Sequence, residues 1–393
     1  MNNDLNVIFL GSFLYPQGYA ATKRKQQFIE YLLNKGVKVR VLITLKWARN
    51  HEMNPPEGNY NGVTYELLGV AVKKNVLFPL TFLHFIFRAG IKIFQYKMKN
   101  QKNIVVSFGL NFNTIFPILF AYFVGYKIVF DIVEDFNTIT YSNNILKKLE
   151  KWVSITLLNS IKFRIASGIS VISTYINLQI NKKNYQGCTT FIPISASNLN
   201  YEIPKIHLNS NYFKLLYSGT YGEKEGLETL IEAFKLVLVT NPSTKLILTG
   251  NCPHHIFSLL IKKLGSLDNV LLTGRLSEYD YYSELANCDI MLMTRNDSKF
   301  SNAGFPYKLG EYLATGNPVV CTNVSDVSLY LNNKESALIV RPDDPYSLFQ
   351  AITELMENWD LAKHIGENGR NICQVYFNPK INSKKFYDLL KRI

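Results

Sequence analysis

The chain has 393 residues, of which 47% are hydrophobic and 19% are charged. This balance excludes a disordered or fibrous protein, and the length suggests two domains at roughly 150 residues each. The charge is uneven: residues 1–200 hold 23 lysines and arginines against 9 acidic residues, whereas residues 201–393 hold 20 against 21. The positive excess of the first half predicts an anionic partner there.

The cysteines and the apolar stretches bear on where the protein works. The 5 cysteines are scattered, odd in number and without a CxxC pair, which indicates reduced thiols rather than a disulfide framework. No basic region precedes the first apolar run, and the stretches 76–87 and 115–124 are shorter than the roughly 18–20 residues of a spanning helix. The sequence therefore predicts a cytoplasmic protein without a signal peptide or a transmembrane helix.

The first half begins with a β–loop–α–β unit. Residues 6–10 predict a buried strand, residues 21–35 an amphipathic helix that Gly36 closes, and residues 37–42 a second strand. Further strands are predicted at 104–108, 127–132 and 168–172. This succession is typical of a doubly wound sheet.

The second half repeats the pattern after a polar segment, 195–211, which marks a domain boundary. A strand at 214–218 is followed by a glycine-bearing loop at 219–225 and a helix at 227–239. Further strands are predicted at 245–249, 270–273, 290–293 and 319–321. The fold class is therefore α/β, with two Rossmann-like doubly wound domains that face each other across a cleft and bind ligands at the carboxyl ends of their strands.

The segment 302–320, NAGFPYKLGEYLATGNPVV, carries the most chemistry. It predicts a loop, then a helix from about residue 308 to 314, then a buried strand. The start of a helix is an anion site, and Lys308 in its first turn is unfavourable for the helix unless an anion binds there. Glu311 lies on the same face and could accept ribose hydroxyls. The alternative is an ordinary Lys–Glu pair on an exposed helix.

This segment, with SGTYGEKEGLETLIEAF (218–234) and LLTGRLSEYDYYSELANCDIMLM (271–293), resembles the retaining glycosyltransferases of family 4, which have the GT-B fold. The resemblance is strong over 214–378 and mainly topological over 1–200. It implies an acceptor-binding domain at 1–200, a donor domain at 201–378 and a final helix, 379–393, that crosses back to the first domain. It also implies a UDP- or GDP-linked sugar as substrate, with no metal or other cofactor.

The resemblance further implies the residues of a donor site. Glu311 would hold the ribose, backbone amides near Phe305–Lys308 the diphosphate, and Lys308 the charge that develops as the glycosidic bond breaks. The full implied set is Gly219, Thr220, Gly222, Lys224, Arg275, Leu276, Phe305, Pro306, Tyr307, Lys308 and Glu311.

The sequence departs from the family at several of these positions. The family usually has a second carboxylate eight residues before Glu311, where this chain has Ala303. The basic residues that the family has near its first phosphate loop fall on Thr220 and Glu225. The cations available as replacements are Lys224, Arg275 and Lys308.

The first domain also departs, because it lacks the family's histidine. The acidic cluster Asp131, Glu134 and Asp135 occupies that neighbourhood, so we predict Glu134 as a catalytic group and Asp131 and Asp135 as cleft residues near the acceptor. The alternative is that the cluster caps a helix or balances nearby lysines. Gly18 would bring the first loop close to the donor or acceptor.

Two groups of basic residues lead to different predictions. Lys23, Arg24 and Lys25 are predicted to be solvated rather than to contact substrate. A second group brackets the aromatic-rich stretch 76–87: Lys73, Lys74, Arg88, Lys92, Lys97, Lys99 and Lys102. Basic residues beside phenylalanines suit an interfacial helix on an anionic leaflet, and the alternative is a core helix with a solvated basic end.

The leading hypothesis is a retaining glycosyltransferase, peripheral at the inner face of the cell membrane. It would transfer a hexose to a lipid-linked or polysaccharide acceptor in bacterial-type surface glycan biosynthesis. The alternatives are a non-catalytic GT-B scaffold subunit, which Ala303 favours, and a GT-B sugar-nucleotide epimerase, which would not need a basic face. A nucleic-acid partner is not predicted, because no binding module is recognisable. The sugar, the base, the acceptor and the oligomeric state stay open.

Overall fold

The computed structural model describes residues 4–44, 54–69, 78–111, 113–135, 152, 158–196 and 212–393. The chain divides into two compact units, Met1–Pro193 with Pro379–Ile393, and Ile194–Asn378. The polar segment at which the sequence places the domain boundary lies largely outside the described residues. Each unit contains a sheet with helices packed on it.

The sheet of the first unit has eight strands among the described residues, in the order β3-β4-β2-β1-β5-β6-β7-β8. The strands are β1 Leu5–Gly11, β2 Lys38–Ile43, β3 Glu57–Tyr60, β4 Val63–Leu67, β5 Lys102–Ser107, β6 Lys127–Ile132, β7 Ala166–Val171 and β8 Cys188–Phe191. All neighbouring pairs are parallel except β3 and β4. The central strand β1 is buried along its whole length, as expected for a parallel strand with both faces covered.

The described residues of the first unit also form helices. They are α1 Ala20–Asn34, α2 Phe78–Gln95, α3 Ile115–Phe123, α4 Asn159–Ile165, α5 Thr174–Asn181 and, from the end of the chain, α14 Pro379–Arg392. Phe28 of α1 stacks on Phe386 of α14 with ring centroids 4.2 Å apart. The last helix is therefore part of the core of the first unit.

The second unit contains a parallel sheet in the order β11-β10-β9-β12-β13-β14. The strands are β9 Lys214–Ser218, β10 Lys245–Thr249, β11 Val270–Gly274, β12 Ile290–Met293, β13 Val319–Thr322 and β14 Leu338–Val340. The helices are α6 Leu227–Thr240, α7 His254–Leu264, α8 Glu278–Asn287, α9 Lys299–Ala303, α10 Tyr307–Thr315, α11 Val327–Tyr330, α12 Pro345–Glu357 and α13 Trp359–Tyr376. The strand order reverses beside β9, so the turns after β9 and β12 lie at the switch point where such sheets bind ligands.

The predicted strands are present within a few residues of their predicted bounds. Four strands are not predicted from the sequence: β3, β4, β8 and β14, which are short edge strands or their neighbours. β3, for example, is exposed at all four residues, so it has no apolar alternation to reveal it. No helix among the described residues is both long and apolar enough to span a membrane.

Candidate functional site

The segment 302–320 folds around α10, the helix that the sequence singled out. Pro306 precedes the helix in an extended conformation, and no side chain caps the helix start. The first turn contains no acidic residue. When no side chain caps the start of a helix, its first backbone N–H groups can donate to a ligand. The positive end of the helix dipole favours an anion as that ligand.

Lys308, in the first turn of α10, points to the loop that follows β9. Its Nζ donates to Oε2 of Glu225 at 2.5 Å and lies 4.0 Å from the centre of the Tyr217 ring. Its side chain is only 10% exposed. The alternative of a surface Lys308–Glu311 pair is therefore wrong, because the partner of Lys308 is Glu225 and the helix is largely buried.

Glu225 is the centre of a buried charge cluster. Its Oε2 also accepts from the Tyr217 hydroxyl at 3.1 Å, and its Oε1 lies 3.8 Å from Nε of Arg295. Burial alone would raise the pKa of Glu225, but Lys308 and then Arg295 reverse this effect and lower it to about 2. Glu225 is therefore an ionised carboxylate with two cations beside it.

The backbone around Glu225 is built to place this carboxylate. A short 3₁₀ turn, Glu223–Glu225, leads into Gly226, whose φ of 61° lies in the left-handed region. A Cβ at Gly226 would overlap the carbonyl oxygen of Thr294, so only glycine fits there. Thr294 Oγ1 in turn donates to the Glu225 carbonyl oxygen at 3.0 Å. The turn after β9 and the end of β12 are thereby locked together.

The glycine-bearing loop passes directly over Lys308. A Cβ at Gly219 would lie 2.7 Å from both Lys308 Nζ and the Tyr217 hydroxyl. Thr220 and Gly222 are exposed. Lys224 Nζ lies over the Phe300 ring, 4.1 Å from its centre. The structure thus brings Gly219 and Lys308 together, whereas Lys224 sits beside an aromatic ring on α9.

Glu311 lies one turn further along α10 and is 5% exposed. Its two carboxylate oxygens accept from two hydroxyls of α8, that of Tyr281 at 2.9 Å and that of Tyr282 at 3.2 Å. Burial and the Glu311 charge raise the pKa of Tyr281, which keeps its hydroxyl a donor. Neither tyrosine is among the predicted site residues, although both lie in the segment EYDYYSEL that carries the family resemblance.

The other residues implied in binding the nucleotide-sugar donor differ in which of their groups are exposed at the start of α10. Phe305 packs on Tyr330 and Phe377 with ring centroids 5.5 and 5.6 Å apart, so its side chain belongs to the core. Pro306 is buried and Tyr307 is partly exposed. Phe305 and Pro306 therefore offer only backbone groups at the start of α10. Ala303, in place of the family's second carboxylate, is fully buried.

The loop after β11 holds the two remaining donor residues. Gly274 has a φ of 67°, and its carbonyl oxygen accepts from the N–H of Gly250 at 2.8 Å. Arg275 follows it and is exposed, while Leu276 is partly exposed. The Ser277 side chain then caps α8 by accepting from the N–H of Asp280. This loop leads directly into the helix that bears the tyrosines at Glu311.

In the first unit, Asp131 at the end of β6 is 1% exposed and paired. Its Oδ2 accepts from Nε of Arg24 at 2.9 Å, and its Oδ1 accepts from Nη2 of Arg24 at 3.0 Å and from Ser170 Oγ at 2.7 Å. Arg24 also donates to the carbonyl oxygens of Ile192 and Pro193. The contacts of Asp131 are those of a structural ion pair rather than of an open acceptor site.

The prediction that Lys23, Arg24 and Lys25 are solvated is wrong for the last two. Arg24 and Lys25 are 3% and 2% exposed. Lys25 Nζ lies over the rings of Phe13 and Phe108, 4.1 Å from the centre of the former. Burial lowers the pKa of Lys25 well below its ordinary value. These residues belong to the core of the first unit.

Glu134, Asp135 and Gly18 complete the predicted residues of the first unit. Glu134 and Asp135 follow β6 and are partly exposed. Asp135 lies close enough to Lys162 to oppose the burial that lowers the pKa of that lysine to about 8. A Cβ at Gly18 would overlap the Thr22 side chain, so this glycine lets the first loop pack on the first turn of α1. Among the described residues, no group of three or more His, Cys, Asp or Glu could hold a metal ion.

A family match lies within the second unit. Residues 201–372 match the family described as glycosyl transferases group 1. A capsular polysaccharide biosynthesis glycosyltransferase of Staphylococcus aureus is 25% identical over 247 residues, which are 59% of this chain and 63% of that protein. The chain spans less than two thirds of the length of the curated relatives it matches.

Solved structures match almost the whole chain. Sucrose-phosphate synthase from Thermosynechococcus elongatus superposes with a TM-score of 0.76 at 18% identity, over 99% of this chain and 98% of that one. Anabaena HepE in complex with UDP-glucose superposes with a TM-score of 0.73 at 14% identity, over 99% and 100%. The protein therefore has the α/β GT-B fold, as the sequence predicted, with a sheet of mainly parallel strands in each of its two units.

Proposed function

We propose that the chain is a retaining glycosyltransferase, because residues 201–372 match the family described as glycosyl transferases group 1. It moves a hexose from a UDP- or GDP-linked donor to a lipid-linked or polysaccharide acceptor. The observation that carries the proposal is one buried helix, α10, that presents a cation and a carboxylate one turn apart, Lys308 and Glu311. The likeness to a structure holding UDP-glucose supports the donor class, and the capsular relative supports the acceptor class.

In this proposal Glu311 binds the ribose of the donor. Carboxylate oxygens can each accept more than one hydrogen bond, and those of Glu311 accept from the hydroxyls of Tyr281 and Tyr282. In the proposed complex the carboxylate also accepts from the ribose hydroxyls. The tyrosines fix the orientation of the carboxylate, so little ordering is needed when the nucleotide binds.

The diphosphate binds at the start of α10, against the backbone N–H groups and the Lys308 ammonium. The bond between the anomeric carbon and the diphosphate oxygen breaks while the acceptor oxygen attacks from the same face of the sugar. The leaving diphosphate takes the acceptor's proton, and its growing negative charge is stabilised by Lys308 and the helix dipole. No protein nucleophile is required for this route.

We predict that Glu311→Ala weakens nucleotide binding by about ten-fold or more. Charge-assisted hydrogen bonds are worth roughly 1.5–3 kcal/mol each, and about 1.4 kcal/mol corresponds to a factor of ten. Titration calorimetry with UDP and GDP, followed by donor hydrolysis over UDP- and GDP-sugars, measures the effect and identifies the base. The control is Glu357→Ala, an exposed glutamate at the end of α12. Wild-type affinity in Glu311→Ala contradicts the site.

A lipid-linked acceptor lies at a membrane surface, and the first unit has an exposed apolar face that could contact such a surface. Apolar side chains are exposed along one face of α2 and along α3 beside it: Leu83, Phe87, Ile91, Phe94, Phe116, Phe120 and Phe123. We call this set the aromatic face. The two helices touch where Gly90 meets the Phe120 ring. Phe87 and Phe123 are 70% and 79% exposed, and patches of this kind mark interaction sites.

The positive charge near the aromatic face favours an anionic bilayer as its binding partner. Lys97 and Lys99 follow α2 and are exposed, and Lys97 donates to the Val124 carbonyl oxygen at the end of α3. The basic excess of residues 1–200 acts in the same direction. Lys73 and Lys74, which the sequence analysis included, lie outside the described residues. The protein would thus sit peripherally on the inner leaflet.

The membrane proposal predicts that the protein binds anionic vesicles and that added salt weakens the binding. Phe87→Ser and Phe123→Ser should each reduce partitioning by roughly ten-fold, because burying one such side chain is worth about 1.5–3 kcal/mol. Vesicle co-sedimentation measures this effect. The control is Tyr279→Ser, at an aromatic residue of the second unit that is 72% exposed. Equal binding to neutral vesicles, or none to anionic ones, contradicts the proposal.

A non-catalytic scaffold subunit is the second candidate function. Ala303 favours it, because the family resemblance implies a carboxylate at this position and the chain has a fully buried methyl group there. A scaffold needs neither a bound nucleotide nor Lys308. Turnover and nucleotide binding therefore separate the two candidates.

A further inference from the structure

Arg295 is a buried arginine that the proposed mechanism leaves without a role. It lies just beyond the carboxyl end of β12 and is 6% exposed. Its Nε and Nη1 atoms have no hydrogen-bond partner among the described residues. A buried guanidinium with unmet donors is costly, so such a group calls for an unfilled acceptor nearby.

The neighbours of Arg295 show what kind of acceptor fits. Nε lies 3.8 Å from Oε1 of Glu225, beyond hydrogen-bonding distance, while Oε2 of the same carboxylate accepts from Lys308. One carboxylate therefore faces two buried cations. The cluster carries a surplus positive charge that nothing among the described residues neutralises at close range, and an incoming anion would relieve it.

The position of the cluster identifies the anion. Lys308 lies in the first turn of α10 and under Gly219, and the Glu225 carboxylate joins Lys308 to Arg295. We propose that Arg295 is a second ligand of the donor diphosphate, with Glu225 as the counter-ion that holds Arg295 and Lys308 in place. This inference rests on the proposed function. It also gives Glu225, at a position where the family resemblance implies a basic residue, a role in an altered phosphate site.

The planar guanidinium suits this task. Arginine presents up to five N–H donors in a fixed geometry and pairs with phosphate oxygens through two parallel hydrogen bonds. The Thr322 hydroxyl donates to the Arg295 carbonyl oxygen at 2.7 Å, which fixes the backbone from which the side chain extends. Lys308 supplies a point charge, and Arg295 supplies directional donors.

The test measures binding of uridine, UMP, UDP and inorganic pyrophosphate, with the guanosine series in parallel. Arg295→Met should weaken UDP and pyrophosphate binding by about ten-fold or more and leave uridine binding unchanged. Arg295→Lys should recover only part of the loss. The control is Arg341→Met, an arginine whose side chain is 84% exposed and pairs with Asp344.

A double variant tests whether Arg295 binds the diphosphate directly or only contributes positive charge to the cluster. Arg295→Met with Glu225→Gln keeps the cluster at one positive charge, as in the wild type, yet lacks the guanidinium. If Arg295 binds the diphosphate, the double variant stays weak for UDP; recovery to wild-type affinity overturns the proposal. Equal loss of uridine and UDP in Arg295→Met, or no loss of either, also overturns it.

The outcomes distinguish this inference from the proposed function. A wild type that binds pyrophosphate through Arg295 but no nucleotide retains the anion site and contradicts the nucleotide donor. A wild type that binds neither contradicts both. If Arg295→Met does not fold, Arg295→Lys decides: a selective loss for UDP supports the proposal, and unchanged UDP binding overturns it.

Discussion

Replacing Asp131 by alanine is expected to destabilise the first unit by about 3–5 kcal/mol, the usual cost of removing one partner from a buried ion pair. Arg24 would stay buried, with only the carbonyl oxygens of Ile192 and Pro193 as acceptors. Urea-induced unfolding followed by circular dichroism gives the change in free energy. Amide hydrogen exchange in β6 assigns the change to the first unit.

The chain offers a matched control for this prediction. Asp4 and Lys391 form an ion pair of the same length, 2.9 Å, but at 61% and 44% side-chain exposure. Asp4→Ala should change the stability little, because solvent screens exposed pairs. The double variant Arg24→Met/Asp131→Leu should recover much of the loss. If Asp131→Ala is as stable as the wild type and loses only transfer activity, Asp131 is an acceptor residue after all.

The sequence predicts the strands of both sheets well, because parallel strands buried on both faces are continuous apolar runs. The run Ile-Met-Leu-Met of β12 is buried at all four positions. The edge strand β3 escapes prediction, since all four of its residues are exposed and it carries no apolar pattern. Prediction from periodicity therefore fails where a strand has no buried face.

Long-range charge pairing cannot be predicted in the same way. Charged side chains are ordinarily exposed, which is why Arg24 and Lys25 are predicted to be solvated. The partner of Arg24 lies 107 positions away in the chain and that of Lys308 lies 83 positions away. The family resemblance implies a basic residue at the position of Glu225. Only the fold shows that Glu225 is surrounded by Lys308, Tyr217 and Arg295.

Lys308→Ala is expected to lower kcat by about 10²–10³, the range seen when one preorganised donor to a developing oxyanion is removed. Negative charge grows on the diphosphate as the glycosidic bond breaks, so the ammonium stabilises the transition state more than the bound donor. The dissociation constant of the donor should rise by a smaller factor. Turnover with a saturating donor and calorimetry with a nucleoside diphosphate measure the two quantities separately. Lys334→Ala, which breaks a surface pair with Glu354, is the control.

The pH dependence gives this prediction a second readout. Burial lowers the pKa of Lys308, although Glu225 opposes the effect. The Lys308 ammonium therefore loses its proton at a lower pH than an ordinary lysine side chain, whose pKa is near 10.4. We expect kcat/KM of the free enzyme to fall as the pH rises through this deprotonation. Lys308→Arg stays charged at every accessible pH, so its basic limb should disappear even if its turnover is reduced. A scaffold subunit predicts no turnover in any variant and intact glycan assembly in cells that carry Lys308→Ala. If kcat/KM of Lys308→Arg still falls at high pH, another group causes that fall, and the catalytic role of Lys308 is contradicted.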